Sequence, residues 1–193
     1  MLFPVLFAMA QAQDRELALR LKRRDPSAVG ELYDRYGRLA YALIYRIVRD
    51  QGTAEDLVQE TFLRIWNRAH AFDSDRGSLG AWVLTVARNR AIDYLRSVQG
   101  RMAHSAFGLE TEYPQLFVDL EKDLLNSDRA KRLRSALEKL NPNQKLVLEL
   151  AYFEGLSQSE MAERMQQPLG TVKTWVRSAL RILREELGET VAT

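Results

Sequence analysis

Apolar positions along this chain recur at three- and four-residue steps, and no stretch shows the period of two that a half-buried strand needs. The pattern predicts an all-α protein without an internal repeat. Residues 14–24 read as a short amphipathic helix. Asp25-Pro26 resets the chain, because Asp caps a helix and Pro suits its first position. The next helix, Ser27 to about Val48, carries Val29, Leu32, Tyr33, Tyr36, Leu39, Ala40, Leu43, Ile44 and Ile47 on a wide apolar face, with Gly37 a tolerated weak spot. Gly52-Thr53 is expected to end one helix and cap the next, with Thr53 and Asp56 as a cap-like pair. In that next helix Ala54, Leu57, Val58, Thr61 and Ile65 share one face, while Asp56, Gln59, Glu60, Leu63 and Trp66 fall toward another. A turn-rich loop with Asp73, Asp75, Arg76 and Gly77 comes after it. Ser78 can cap a helix from Leu79 to about Ser97, with Trp82, Val83 and Val86 toward the core and Thr85, Arg88, Asn89, Ile92 and Arg96 on another face.

Residues 98–130 contain Gly100, Gly108 and Pro114 and read as a linker with one short helix near Phe117 to Leu125. Ser127 opens a helix through Leu140. Asn141-Pro142-Asn143-Gln144 supplies a cap, a Pro at the first helical position and a capping-box Gln. Leu146, Val147, Leu150 and Ala151 would pack beneath the last two helices of the chain. Ser157 with Glu160 is a second capping box and opens the first of them. Pro168 and Gly170 break the chain after Met165, and a last helix starts near Thr171. On it Val172, Val176, Ala179, Leu183 and Leu187 form an apolar stripe, and Lys173, Arg177, Arg181 and Arg184 a separate basic one. Short helix, turn and longer basic helix make the pattern of a helix-turn-helix, whose second helix enters a major groove.

Composition narrows the chemistry. The 193 residues carry a net charge of only +2, with apolar and charged fractions of an ordinary globular chain. Residues 1–97 hold 15 basic against 12 acidic side chains, residues 98–130 hold 3 against 6, and residues 131–193 hold 10 against 8. Two mildly basic modules on an acidic linker fit that distribution. There is no cysteine, so thiolate zinc sites and disulfides are excluded. His70 and His104 lie far apart without ligand spacing, so no metal site is expected. There is no Gly-rich phosphate loop and no nucleophile paired with a base, so neither catalysis nor a cofactor is expected. The first thirteen residues, MLFPVLFAMAQAQ, lack the charged start of a signal peptide and are interrupted by Pro4. They read as a disordered or loosely docked leader, and no run reaches membrane-spanning length.

Two faces carry candidate chemistry. Acid, amide and aromatic groups mixed at 56–66 are what protein contacts use, although Trp66 alone could simply pack on a neighbouring helix. Arginines and an amide near Trp82 and Tyr94 suit a single strand of DNA, whose backbone follows cations and whose bases stack on rings. A basic face alone is more often merely solvated.

Taken together, the runs AEDLVQETFLRIW, FDSDRGSLGAWVLTVARNRAIDYLR, LNPNQKLVLELAYFEGLSQSEMAERM and PLGTVKTWVRSALRILRE resemble a bacterial RNA polymerase sigma factor of the extracytoplasmic-function (ECF) group in the sigma-70 family, over roughly residues 14–187. The resemblance implies two small helical domains, a sigma region 2 bundle and a sigma region 4 helix-turn-helix, joined by a flexible linker. The corresponding divisions are a leader over 1–13, region 2 over 14–97, an acidic linker over 98–130 and region 4 over 131–189. It implies that Asp56, Gln59, Glu60, Leu63 and Trp66 face the polymerase. The loop Asp75 to Gly80, with Asp75, Arg76 and Ser78, would capture a flipped base of the −10 element together with Trp82 and Asn89, while Arg88, Arg90 and Arg96 hold the strand. Ser157, Gln158, Thr171, Lys173, Thr174, Arg177, Ser178 and Arg181 would meet the −35 element, Arg181 near phosphate. Trp175 departs from the usual pattern, and packing inward and touching a thymine methyl both remain open. Implied partners are core RNA polymerase (β′ coiled coil and β flap), promoter DNA and an anti-sigma protein, with a cytoplasmic location and no membrane insertion. A stand-alone helix-turn-helix regulator is the competing reading.

Overall fold

The computed structural model describes the backbone of residues 3–74, 77–101 and 135–187, and the side chains of 13–74, 77–98 and 135–186. All regular structure among the described residues is helical. The chain divides into two compact units, Met1–Leu109 and Glu110–Thr193.

The first unit contains α1 (Phe3–Lys22), α2 (Pro26–Val48), α3 (Gln51–Asn67), a 3₁₀ turn (Ala69–Ala71) and α4 (Leu79–Arg101). The helix expected over 14–24 therefore begins at Phe3 and takes in most of the stretch read as a leader. Pro4 falls in its first turn, where a missing N–H leaves no bond unmade. At the other end α4 continues past residue 97, and Gly100 does not stop it. The short helix expected near Phe117 lies outside the described residues. No described helix is long and apolar enough to cross a membrane.

Burial follows the helical stripes. Leu17 and Leu21 of α1, Leu32, Ala40, Ile44 and Ile47 of α2, Ala54, Leu57, Val58, Phe62 and Ile65 of α3, and Leu79, Val83, Ala87, Ala91 and Ile92 of α4 make one core. The expected wide face on α2 is narrower than its apolar residues suggested. Tyr33 stays half exposed and meets Phe62 edge-on, with ring centroids 5.1 Å apart. Gly80, the second residue of α4, lies so close to α2 that a Cβ there would be 2.7 Å from Cε1 of Tyr36.

Caps explain the corners. Asp25 accepts from the Ser27 amide at 3.0 Å and the Ser27 hydroxyl at 2.7 Å, with Pro26 next to it as expected. The start of α3 differs from expectation: its cap is Asp50, which accepts from the Thr53 amide at 2.8 Å. Arg49 takes the left-handed conformation (φ 56°) that ends α2, so no glycine is needed there and Gly52 lies inside α3. Arg20 ties the first corner together, its Nε 2.9 Å from Asp25, its Nη1 2.6 Å from Glu31 and its Nη2 2.8 Å from the Ser27 hydroxyl. Arg35 joins Glu31 to Asp14, which also accepts from the Tyr36 hydroxyl at 2.9 Å. Burial, then the hydrogen bond to Asp14, pushes the Tyr36 phenol up.

Hydrogen bonds from Ser27 and then Arg20 hold the Asp25 carboxyl down to about 2, from an ordinary value of 3.8. A carboxylate depressed by folding contributes stability above its unfolded value and loses it as pH falls through the folded one. Asp25→Asn keeps a capping side chain but removes that contribution. Its melting temperature should lie below wild type at neutral pH, and the gap should close between about pH 4 and about pH 2. Thermal melts followed by circular dichroism check this; a gap indifferent to pH would contradict it.

The second unit contains a helical segment at 135–138, α5 (Pro142–Glu149), a π-helical turn (Leu150–Glu154), α6 (Gln158–Arg164) and α7 (Leu169–Leu187). Both expected capping boxes are present, Asn141 with Gln144 and Ser157 with Glu160. The turn between α6 and α7 is made differently from expectation. Gln166 takes the left-handed conformation (φ 52°), Pro168 precedes the helix, and Gly170 lies within it. Val147, Leu150, Met161 and Val172 form the core, with Trp175 and Val176 packed against it. Lys139 bonds Glu186 at 2.6 Å, which ties the segment before α5 to the end of α7.

Candidate protein and nucleic-acid interfaces

On α3 the division expected from spacing is realised. Ala54, Leu57, Val58, Thr61 and Ile65 are buried, and the Thr61 hydroxyl is satisfied by the Leu57 carbonyl at 2.7 Å. Phe62, absent from the expected face, is buried with them. Asp56, Gln59, Glu60 and Leu63 are all exposed, Leu63 at 63%. A leucine left that open among acid and amide groups stabilises nothing within the unit, which is the composition of a contact patch. Trp66 is half-buried at the C-terminal end of the same helix. The Arg24 guanidinium carbon lies 5.2 Å from the centre of its ring. The two readings of Trp66 are thus not exclusive: part of the ring packs within the unit and part stays accessible.

On α4 the expected residues separate. Ser78 is exposed and caps the helix, accepting from the Ala81 amide at 3.2 Å. Trp82 is half-buried against Phe72, ring centres 5.3 Å apart. Thr85, Asn89 and Arg96 are exposed and Arg88 is half-buried, its Nη1 donating to the Asn89 side-chain oxygen at 3.2 Å. Ile92 does not share that face. It is only 5% exposed, because a branched apolar side chain gains most by turning to the core beside Ala91. Asp75 and Arg76 lie outside the described residues. Arg90 pairs with Glu60 through Nε and Oε2, so α4 and α3 are bridged by a member of each expected set. Spacing within one helix gives no sign of that pair.

In the second unit, Lys173, Thr174, Arg177 and Arg181 are exposed along one side of α7. The Thr174 hydroxyl donates to the Gly170 carbonyl at 2.9 Å, and Arg181 lies 3.5 Å from Glu185. Thr171 and Gln158 are half-buried, and Ser157 is exposed as the cap of α6. Two placements settle or change the expectation. Trp175 packs inward on the Val147–Val172 core. Ser178 turns toward α5, where its hydroxyl accepts from Gln144 Nε2 at 2.9 Å; Gln144 is 7% exposed and needs that partner. The row facing outward on α7 is therefore narrower than the sequence pattern suggested. Among the described residues no group of three or more His, Asp and Glu side chains is placed to hold a metal ion.

Arg24 is a residue of this site that periodicity did not single out. Its partners lie 42 and 43 residues away, and the sequence bears no signal of them.

Two family models match the chain: Sigma-70 region 2 over residues 32–101 and Sigma-70 region 4 over residues 130–183. The first runs from within α2 to the end of α4, and the second reaches through most of α7. Among curated proteins, the chain is 33% identical over 190 residues to the ECF RNA polymerase sigma factor SigK of Mycolicibacterium vanbaalenii, covering 96% of this chain and 92% of that one. It is 36% identical over 170 residues to SigK of Mycobacterium tuberculosis, covering 87% and 90%. Among solved structures it is similar to Rhodobacter sphaeroides SigE in complex with the anti-sigma ChrR, at 24% identity over 91% of this chain and 98% of that one, with a TM-score of 0.46. It is also similar to a chain of the RsbN–BldN complex, at 30% identity over 87% and 97%, with a TM-score of 0.38.

Proposed function

We infer the division of labour between the two units from one premise: this chain belongs to the ECF group of the sigma-70 family and is an RNA polymerase sigma factor. A stand-alone regulator is not favoured, since the two sigma regions match in both halves of the chain. Its role is to act without a catalytic site of its own, in the cytoplasm where polymerase works.

The first unit binds polymerase through the outer face of α3. The observation that carries this is Leu63, 63% exposed and flanked by exposed Asp56, Gln59 and Glu60 on a helix whose other side is core. An apolar side chain left open inside a polar rim has the composition of a protein contact patch, and burying it against a partner is favourable. The β′ coiled coil is the partner expected there, and the β flap for the second unit. The same first unit opens the −10 element with α4. Melting costs a few kcal/mol for each flipped base, so capture needs a pocket as well as charge. Asn89, exposed beside Arg88, supplies donor and acceptor groups for a base edge. Ser78 and Trp82 line the start of the helix that leads to it, and Arg88, Arg90 and Arg96 supply cations for the strand. Asp75 and Arg76 are proposed on sequence alone.

The second unit reads the −35 element as duplex. Lys173, Thr174 and Arg177 lie on the outer side of the recognition helix near its start, where base edges are reached, and Arg181 comes one turn later near phosphate. Ser157, Gln158 and Thr171 flank the turn and would contact the backbone. Regulation by an anti-sigma protein that covers both units completes the proposal.

Run-off transcription with purified core polymerase, together with mapping of start sites, tests the whole. Failure to form a holoenzyme while binding DNA tightly alone would refute it. Asn89→Ala tests the melting role. Loss of one base hydrogen bond, about 1 kcal/mol, should slow opening roughly fivefold with closed-complex binding retained. Permanganate footprinting checks this, and normal melting would reject the assignment.

A further inference from the structure

Arg24 sits at the corner between α1 and α2 in the left-handed conformation, φ 63°. A side chain is strained there and glycine would not be. The corner is closed without the Arg24 side chain: the amides of Arg23, Arg24 and Asp25 bond the carbonyls of Leu19, Leu21 and Arg20, and Arg20 and Asp25 supply the side-chain bonds. The Arg24 side chain acts elsewhere. The end of α3 leaves four carbonyls without partners inside the helix. The Arg68 amide takes two, those of Arg64 and Ile65. Arg24 takes the other two: its Nη1 donates to the Trp66 carbonyl at 2.8 Å and its Nη2 to the Asn67 carbonyl at 3.3 Å. The same guanidinium covers the Trp66 ring at 5.2 Å. One planar cation thus holds both the backbone and the indole of Trp66, at the helix end where positive charge is favoured.

We propose that Arg24 is a positioning residue for polymerase docking: it fixes the end of α3 and the orientation of Trp66 before the partner arrives. This rests on the reading of the outer face of α3 as the polymerase surface. An aromatic anchor already ordered in the free protein loses less freedom on binding, and affinity rises accordingly.

The test uses the full-length chain and core polymerase, comparing dissociation constants of Arg24→Gly, Arg24→Lys, Trp66→Ala and the Arg24→Gly/Trp66→Ala double variant, well below each melting temperature. Arg24→Gly relieves the backbone strain, so it should fold and melt near wild type. Its affinity should nonetheless fall by about threefold to tenfold, as should that of Arg24→Lys, which keeps the charge but loses the fork. Trp66→Ala should weaken binding, and adding Arg24→Gly to it should cost less than about twofold more. In a Trp82→Phe/Trp175→Phe background, acrylamide should quench Trp66 more readily once Arg24 is glycine. If Trp66→Ala binds as wild type, Trp66 is not an anchor and the proposal fails, while the α3 reading stands or falls with Leu63→Ala. If Trp66→Ala is weakened but Arg24→Gly and Arg24→Lys bind as wild type, the reading stands and the role of Arg24 is overturned. Equal losses from Arg24→Gly with and without Trp66 overturn it too.

Discussion

Leu63→Ala should weaken binding to core RNA polymerase about thirtyfold, equivalent to about 2 kcal/mol, with almost no change in melting temperature. The two effects part because of where the side chain lies. It is 63% exposed, so truncation opens no cavity within the unit, and only the packing against the partner is removed. Ile65, two residues on, is fully buried and supplies the contrast. Ile65→Ala should cost about 2–5 kcal/mol of folding stability, and its polymerase affinity should recover when the folded fraction is taken into account. Exposed Gln59 and Glu60 form the rim around Leu63, so their joint replacement by Ala should weaken binding less than Leu63→Ala does. Glu60 also pairs with Arg90, but Glu60 is half exposed and such a pair contributes little to stability. Equilibrium binding with labelled protein and a thermal melt on the same samples decide the matter. Wild-type affinity for Leu63→Ala would remove α3 from the interface.

Arg177→Ala should reduce occupancy of the preferred −35 sequence by roughly tenfold or more and flatten the base preference at one position. A good bidentate contact is worth about 1–3 kcal/mol of discrimination. The adjacent Ser178→Ala should do the reverse, although both residues stand on the recognition helix. Its hydroxyl accepts from buried Gln144, and removing it leaves that amide short of a partner. Stability should drop by about 1–3 kcal/mol, while the base-preference profile stays that of the wild type. Measuring a panel of base-substituted promoters against both variants separates reading from support. A profile unaltered by Arg177→Ala would exclude it from base contact. A profile altered by Ser178→Ala would show that its hydroxyl reaches the groove after all.

Most of the architecture could be read from the chain because it depends on residues three or four apart. The Asn141–Gln144 and Ser157–Glu160 capping boxes and Asp25-Pro26 are local, and each formed where the spacing placed it. The buried row Ala54, Leu57, Val58, Thr61 and Ile65 is the same kind of statement, since a helix that buries one stripe must expose the other. The errors are also local in origin. Gly52 and Gly170 looked like breaks, yet Arg49 and Gln166 took the left-handed turns and the glycines stayed helical. A glycine permits such a turn without requiring it.

Side-chain choices within an exposed-looking row belonged to the tertiary structure. Ser178 and Arg177 are neighbours in a pattern that favours both as readers of DNA, and only the position of Gln144, 34 residues earlier, turns one of them inward. Trp175 had two open orientations until the Val147 core offered it a surface. Glu60 meets Arg90 across 30 residues, and Arg24 reaches Trp66 across 42. Helical periodicity constrains which way a residue faces on its own helix, to within part of a turn. It carries no information about which distant group will be waiting there, because that depends on how the helices cross.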